Sequence, residues 1–360
     1  MNSVIYPALN IDMKKLKTNL QIVSGAVRNA GCSVMIVTKS FCADPEIVKM
    51  LVESPAVDYL ADSRIANIKS YAGRGKETVL LRLPQFCEIE DTVRYADISF
   101  NSEIETLRLL DGEAKKQNKI HKAVLMIDLG DLREGLYCSG GAGILSTIKE
   151  TLTMKNICLY GIGANLTCYG AIIPKNENLS ILSGWARRIE NTFGVKLAMV
   201  SGGNSSSYYL AEKGGLPAGI NNLRLGEVFI LGNDTAYGNH IEGTYADAIT
   251  LDAQIIELQT KRSLPEGEVG MDAFGEKPVY VDRGMMSRAI LAAGRQDIDA
   301  SGMTPIEPAI NVLGASSDHL ILDVSGSKKD YHIGDIIRFK LNYGSVLHAF
   351  TSSYVSRRYV

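Results

Sequence analysis

Four groups of residues in this chain have types and positions suited to chemistry, and each one closes a short apolar run. Lys39 follows the β-branched run Val34-Met35-Ile36-Val37-Thr38 and is itself followed by Ser40-Phe41-Cys42-Ala43-Asp44. A lysine leaving the C-terminal end of a buried strand either snorkels to solvent or stands against an apolar wall, where desolvation makes its amine a base or a Schiff-base nucleophile. Arg133 lies in the Gly-interrupted segment Asp128-Leu129-Gly130-Asp131-Leu132-Arg133-Glu134-Gly135. Its guanidinium can grip a carboxylate in a bidentate fork or pair with Asp131 or Glu134. Ser201-Gly202-Gly203-Asn204-Ser205-Ser206-Ser207 offers free backbone N–H groups and hydroxyls, which makes either a phosphate cradle or a helix-capping turn. Arg224, in Asn222-Leu223-Arg224-Leu225-Gly226-Glu227, sits inside an otherwise apolar stretch, a costly place for a cation unless an acidic or electron-rich group meets it.

These residues need elements to position them, and the first two thirds of the chain alternates apolar runs with amphipathic stretches. The runs are Val34 to Thr38, Tyr59 to Ala61, Val79 to Leu83, Ile98 to Phe100, Ala123 to Ile127, Ile157 to Ala164, Leu197 to Val200 and Leu223 to Leu225. Helical spacing predicts helices over Pro45 to Glu53, Glu103 to Gln117 and Asn178 to Phe193, among others. Eight strands with intervening helices predict an α/β fold of the (β/α)8, TIM-type barrel class, with an open doubly wound sheet as the alternative. In a barrel the site lies at the C-terminal strand ends, where all four groups fall. From Gly238 onward the helical pattern gives way to strand-like runs: Ala248 to Leu258, Pro278 to Val281, Ala289 to Ala293, Ile310 to Leu313, His319 to Val324 and Ile336 to Leu341. The expected domains are therefore a barrel over 1–237 and a mostly β C-terminal domain over 238–360, with the early run Ala8 to Ile11 as a candidate to pair with the latter.

A chain of 360 residues, 46% hydrophobic and 22% charged, has ample material for two cores. A net charge of −2 with both signs interspersed gives no case for nucleic acid or an anionic membrane surface, so small molecules are the expected partners. Six scattered cysteines without a C-x-x-C pair fit a reducing, cytoplasmic setting and neither a metal site nor a disulfide framework. The N-terminus shows no charged segment leading an apolar core, and no stretch runs long enough without charge to span a bilayer.

A lysine after the first strand, an arginine after the fifth, a Gly/Ser cradle after the seventh and an arginine in the eighth together describe one cofactor, pyridoxal 5'-phosphate. At these residues the chain resembles the alanine racemase family, pyridoxal-phosphate enzymes with a β/α barrel followed by a β domain. D-x-G-x-x-R-x-G is matched by Asp128 to Gly135, the phosphate-binding N-S pair by Asn204-Ser205, and R-L-G by Arg224-Leu225-Gly226, with Glu227 next to it. Leu341-Asn342-Tyr343 and Ser356-Arg357-Arg358-Tyr359 match the family's closing segment. Each motif alone is unspecific; five in one order are not. Within that family T-K-x-F-C-A-D, S-G-G-N-S-S-S and G-R-Q-D look most similar to the ornithine racemases.

The resemblance implies an isomerase that moves the α-proton of ornithine between two faces, with Lys39 as the Schiff-base lysine and the base on one face. It implies Asn165, Asn204, Ser205, Arg224, Gly226, Glu227 and Tyr343 around the cofactor and Arg133 on the substrate carboxylate. Arg224 would point at the pyridine nitrogen. It also implies a homodimer with sites at the interface. Departures from alanine racemase stand out. Gly294-Arg295-Gln296-Asp297-Ile298 replaces the segment carrying the catalytic tyrosine, and arginine is a poor base, so the second base is left open between Asp318 and a serine of Ser316-Ser317-Asp318-His319. Arg295 and Ser317 become substrate-binding candidates, and Asp297 or Asp318 would meet a distal ammonium at the pocket rim. Met126 stands where alanine racemases carry a modified lysine, and Asn165 where they carry a histidine. The alternatives are a racemase of lysine, alanine or serine, and a pyridoxal-phosphate carrier without turnover.

Overall fold

The computed structural model describes residues 5–360, so the first four residues of the N-terminal segment read above lie outside it. The chain forms two compact units, Lys15–Tyr245 and the residues up to Lys14 together with Ala246–Val360. Each is described by itself.

In the first unit the strands are β2 (Ser33–Val37), β3 (Tyr59–Asp62), β4 (Glu77–Leu80), β5 (Ile98–Asn101), β6 (His121–Asp128), β7 (Leu136–Tyr137), β8 (Ile157–Gly163), β9 (Met199–Ser201) and β10 (Asn222–Leu225). The order β2-β3-β4-β5-β6-β8-β9-β10 is parallel throughout, and β10 pairs with β2, so eight strands close a barrel. Each of these eight strands is the product of an apolar run identified above; β7, which pairs with β6, is not. Alternate residues fill the interior: Met35, Val37, Ala61, Val79, Ile98, Phe100, Val124, Met126 and Met199 form one buried cluster. Glycine is required where β8 meets β9, because a Cβ on Gly161 would lie 2.0 Å from the Met199 carbonyl oxygen. Outside, helices present one apolar stripe each, as Leu16, Leu20, Val23 and Val27 do on Met13–Asn29, and Leu179, Leu182, Trp185, Ala186 and Ile189 on Asn176–Phe193.

A polar knot sits between this barrel wall and its helices. His121 is buried, its Nε2 2.7 Å from Ser99 Oγ, which also accepts from Asn101 Nδ2 at 3.0 Å. Burial, helped by Lys119, pushes the imidazole down from its ordinary value near 6.5 to about 4. Between those values the unfolded chain binds the proton that the folded chain refuses, so stability is lost as pH falls through this window, by about 1.4 kcal/mol per unit and about 3 kcal/mol in all. Urea unfolding at pH 7 and pH 4.5 should show a loss that His121→Gln largely abolishes; an unchanged pH slope in the variant would refute the assignment.

The boundary between the units corrects the sequence expectation of 237/238. Residues 238–245 stay with the barrel because Ile241 N and Thr244 Oγ1 both donate to the Gly232 carbonyl, and Tyr245 N donates to Asn19 Oδ1.

The second unit contains β1 (Ala8–Ile11), β11 (Ile249–Arg262), β12 (Met285–Ala292), β13 (Met303–Pro305), β14 (Asn311–Ala315), β15 (His319–Asp323), β16 (Ile336–Leu341) and β17 (Ser356–Tyr359). The order β13-β16-β11-β12-β15-β14 is antiparallel, and β1 joins β11 antiparallel and β17 parallel. Two local expectations fail here. Pro278–Val281 is coil, since no strand among the described residues pairs with it and Val279 stays 92% exposed between Gly275 and Gly284. Tyr343–Thr351 is a helix, started by Asn342, whose Oδ1 accepts from Ser345 N at 2.9 Å.

Candidate active site

Lys39 opens a 3-10 turn, Lys39–Phe41, directly after β2. Its start is pinned by Thr38, whose hydroxyl donates to the buried Asp62 carboxylate and to the Ala61 carbonyl at the end of neighbouring β3. Asp62 also accepts from Arg64 N at 2.8 Å and Asn67 Nδ2 at 3.1 Å, and burial nevertheless moves its carboxyl upward. The turn ends in two successive left-handed residues, Cys42 (φ 48) and Ala43 (φ 49), a costly conformation for residues with a Cβ. Asp44 then stops the turn: its Oδ1 caps helix Pro45–Glu53 by accepting from Glu46 N and Ile47 N. A lysine held by a buried knot on one side and a capped helix on the other has a fixed point of departure. Lys39 is half-buried, and the buried Ser40 hydroxyl beside it has no partner among the described residues.

The neighbouring strand β10 places Arg224 inside the barrel, buried, with Nη1 donating to Ser201 Oγ and Nη2 to the Ala164 carbonyl, both at 2.7 Å, and 3.4 Å from Asn165 Oδ1. Burial lowers this guanidinium to about 10, so it stays protonated at neutral pH. Glu227, two residues past β10, is pushed up by burial and drawn back by the charge of Lys39.

The turn after β9 is built on glycine. Gly203 has φ +114, and its Cβ would fall 2.4 Å from Ser207 Oγ; a Cβ on Gly202 would fall 2.5 Å from Ile220. Ser205 Oγ accepts from Gly226 N (3.0 Å) and Val228 N (3.3 Å), tying the two loops together while its own proton remains to be donated. Asn204, expected at a phosphate, uses its side chain within the protein: Oδ1 accepts from Ser206 N, and Nδ2 donates to Asn165 Oδ1, the Leu166 carbonyl and Cys168 Sγ. What it offers a ligand is its backbone.

After β6, Asp128 Oδ1 accepts from Gly130 N and Leu132 N, and Asp131 accepts from Thr167 N, Tyr169 N and Gly170 N, so the loops after β6 and β8 are laced together. Arg133 makes a bidentate pair with Glu134, one of the pairings the sequence left open. Burial acts to lower this guanidinium, and the Glu134 carboxylate outweighs it, so the net shift is upward. Met126 lies in the barrel interior, and Asn165 at the end of β8 is buried with its Nδ2 unpartnered.

Lys39, Arg133, Asn165, Asn204, Ser205, Gly226 and Glu227 thus follow strand ends of one barrel mouth, and Arg224 lies within its last strand. The remaining predicted residues belong to the second unit. There Arg295 N donates to the Ser316 carbonyl (2.9 Å) and Gln296 N to the Ser317 carbonyl (3.1 Å), so the two segments singled out from sequence pack against each other. Asp318 is exposed and accepts from Gln296 Nε2 at 2.7 Å; Arg295 stacks 3.9 Å over the Phe274 ring. Tyr343 begins the helix described above. Asp297 corrects an expectation: instead of a rim acid it is buried, accepting from Gly294 N and Ser352 Oγ, both at 3.1 Å, because it closes the Gly294–Asp297 turn. Sequence reasoning missed the Thr38–Asp62 support, the role of Ser201 as a partner of Arg224, and Cys168. Cys168 stands four residues past Ala164, the end of an identified run, but was read only as one of six scattered cysteines.

The mouth fits a phosphorylated pyridine aldehyde: a lysine, a glycine-made cradle that a Cβ would fill, a serine hydroxyl free to donate, and buried, unpartnered donors on Ser40 and Asn165. Residues 11–233 match the family described as alanine racemase, N-terminal domain. The chain is 50% identical to an ornithine racemase of Acetoanaerobium sticklandii over 353 residues, 98% of this chain and 99% of that protein. It is 35% identical to a lysine racemase of Thermotoga maritima, covering 99% of each. Among solved structures, an alanine racemase of Clostridium difficile has a TM-score of 0.73 at 17% identity, covering 100% of this chain and 97% of that one. The alanine racemase of Bartonella henselae, with covalently bound pyridoxal phosphate, has a TM-score of 0.73 at 16% identity, covering 99% of this chain and 100% of that one.

Proposed function

Because the chain belongs to the alanine racemase family, we propose that it is a pyridoxal-phosphate-dependent amino-acid racemase that interconverts L- and D-ornithine. The observation that carries the substrate is the 50% identity to an ornithine racemase across both units. The weaker 35% identity to a lysine racemase makes lysine, one methylene longer, the second candidate. A cytoplasmic homodimer completes the proposal, supported by the family likeness and by scattered, unpaired cysteines. Among the described residues no helix is long and apolar enough to cross a membrane.

The Lys39 amine would hold the cofactor aldehyde; Ser205 and the backbone of Gly203 and Asn204 would hold its phosphate, with Gly226 and Glu227 beside them. When bound, the cofactor supplies an electron sink for the α-carbon. The chain's own part is positional. Arg133 turns from Glu134 to the substrate carboxylate, a bidentate exchange of one carboxylate for another. Arg224 has only donors to offer, so a ring nitrogen that it meets acts as an acceptor. Lys39 removes or returns the α-proton on one face. Arg295 and Ser317 are the substrate contacts proposed from the second unit, with Asp318 as an acid–base group there.

Proton NMR of the cofactor-loaded protein in deuterated water, with L-ornithine beside L-lysine and L-alanine and chiral analysis of the end point, tests this. Loss of the ornithine α-proton signal with appearance of the D-enantiomer, faster than for the other two, is the expected result. Cofactor binding with no exchange of any of the three would replace it with the carrier reading.

A further inference from the structure

Racemisation needs an acid–base group on each face of the α-carbon, and the barrel mouth shows where a second one stands. Most of its titratable side chains are engaged. Asp62 is tied to Thr38, Asp128 and Asp131 accept from backbone amides, Glu134 is gripped by Arg133, and Glu227 is within electrostatic reach of Lys39. Cys168 differs from these carboxylates in kind: it is a thiol that contacts the neutral amides of Asn204 and Asn165. It lies in the loop after β8, and in the closed order of the barrel β8 stands three strands from β2 one way and five the other, so its loop faces that of Lys39 across the mouth. Its sulfur is 3.0 Å from Asn204 Nδ2, which donates to it, and 3.7 Å from Asn165 Oδ1. The guanidinium groups of Arg133 and Arg224 both lie within electrostatic reach of it. Asn165 presents a second sign of a ligand here: its Nδ2 is buried and has no partner among the described residues.

We propose that the Cys168 thiol is the acid–base group that serves the face opposite Lys39. The proposal rests on the racemase reading and takes the place of Asp318 in it. In one direction the thiolate sulfur takes the α-proton from its face and becomes S–H, the electron pair of the broken C–H bond stays with the substrate carbon framework, and the Lys39 ammonium delivers a proton to the other face. In the reverse direction the thiol gives its proton and the Lys39 amine takes one. One proton leaves and one arrives, and nothing is oxidised or reduced. Sulfur is suited to this because the thiol–thiolate pair both gives and takes a proton, and an amide donor and two guanidinium groups stand near it.

The holoenzymes of Cys168→Ala and Cys168→Ser test it. Both should bind the cofactor with wild-type absorbance and melt like the wild type, while racemisation of ornithine falls at least about 100-fold. In deuterated water one ornithine enantiomer, the one whose α-proton faces Lys39, should still exchange with retention of configuration, and the other should not. Carbamidomethylation of the wild-type holoenzyme, mapped by mass spectrometry, should show ornithine protecting Cys168 and leaving the exposed Cys87 and Cys158 unprotected. Racemisation within about threefold of wild type would overturn the assignment. So would loss of exchange for both enantiomers with the cofactor in place, or loss of cofactor binding in the serine variant, which would make the thiol structural. A wild-type protein that racemises neither ornithine, lysine nor alanine would refute the function itself, a separate result.

Discussion

Truncation of Lys39 to alanine should lower ornithine racemisation by at least about 1000-fold and abolish the visible absorbance of lysine-bound cofactor, while leaving the fold intact. The three effects are separable because of how this residue is held. The turn that carries it is fixed by Thr38 and Asp62 before it and by the Asp44 cap after it, and Phe41 is fully buried, so the turn's own stability does not run through the lysine side chain. A change in unfolding free energy within about 0.5 kcal/mol is therefore expected. Absorbance spectra of the dialysed protein, a thermal melt and chiral product analysis give all three readings. A variant that racemises ornithine at the wild-type rate would remove Lys39 from the mechanism, and one that unfolds would show that the turn depends on the side chain after all.

Replacing Arg224 by methionine should lower racemisation by about 100- to 1000-fold, the range for removing one preorganised donor from a buried site. Its stability effect is the balance of two terms. The Ala164 carbonyl loses its donor, which costs about 1 to 3 kcal/mol, and a buried cation disappears, which offsets much of that. Methionine fills a comparable volume, so the melting temperature should move by only a few degrees. Arg224→Lys should recover little activity, because an ammonium cannot span Ser201 Oγ and the Ala164 carbonyl with one planar group. Retention of full activity by the methionine variant would show that Arg224 serves packing alone.

The legible part of this protein was the part written in local pattern. The eight runs from Val34 to Leu225 each became a strand of the closed barrel, because burial on both faces of a parallel strand demands a continuous apolar segment. Lys39, Arg133 and Arg224 were legible for the complementary reason, as charged groups at the ends of such segments. Patterns without a partner requirement misled. Pro278–Val281 has strand-like residues, but a strand exists only where another edge accepts its hydrogen bonds. Tyr343–Thr351 hides its helix because its start depends on one Asn342 side chain.

By itself the amino-acid sequence determined the class of fold, the barrel mouth as the place of chemistry, and the lysine, arginines and glycine turn that stand there, since each follows from residue type and short-range spacing. Tertiary structure alone decided who meets whom. It turned Asp297 inward to close its own turn, engaged Arg133 with Glu134, used Asn204 as a bridge between the loops after β8 and β9, and brought the Cys168 sulfur to that bridge. Such contacts join residues tens of positions apart, and hydrogen-bond geometry is settled by the approach of strands that no local spacing encodes.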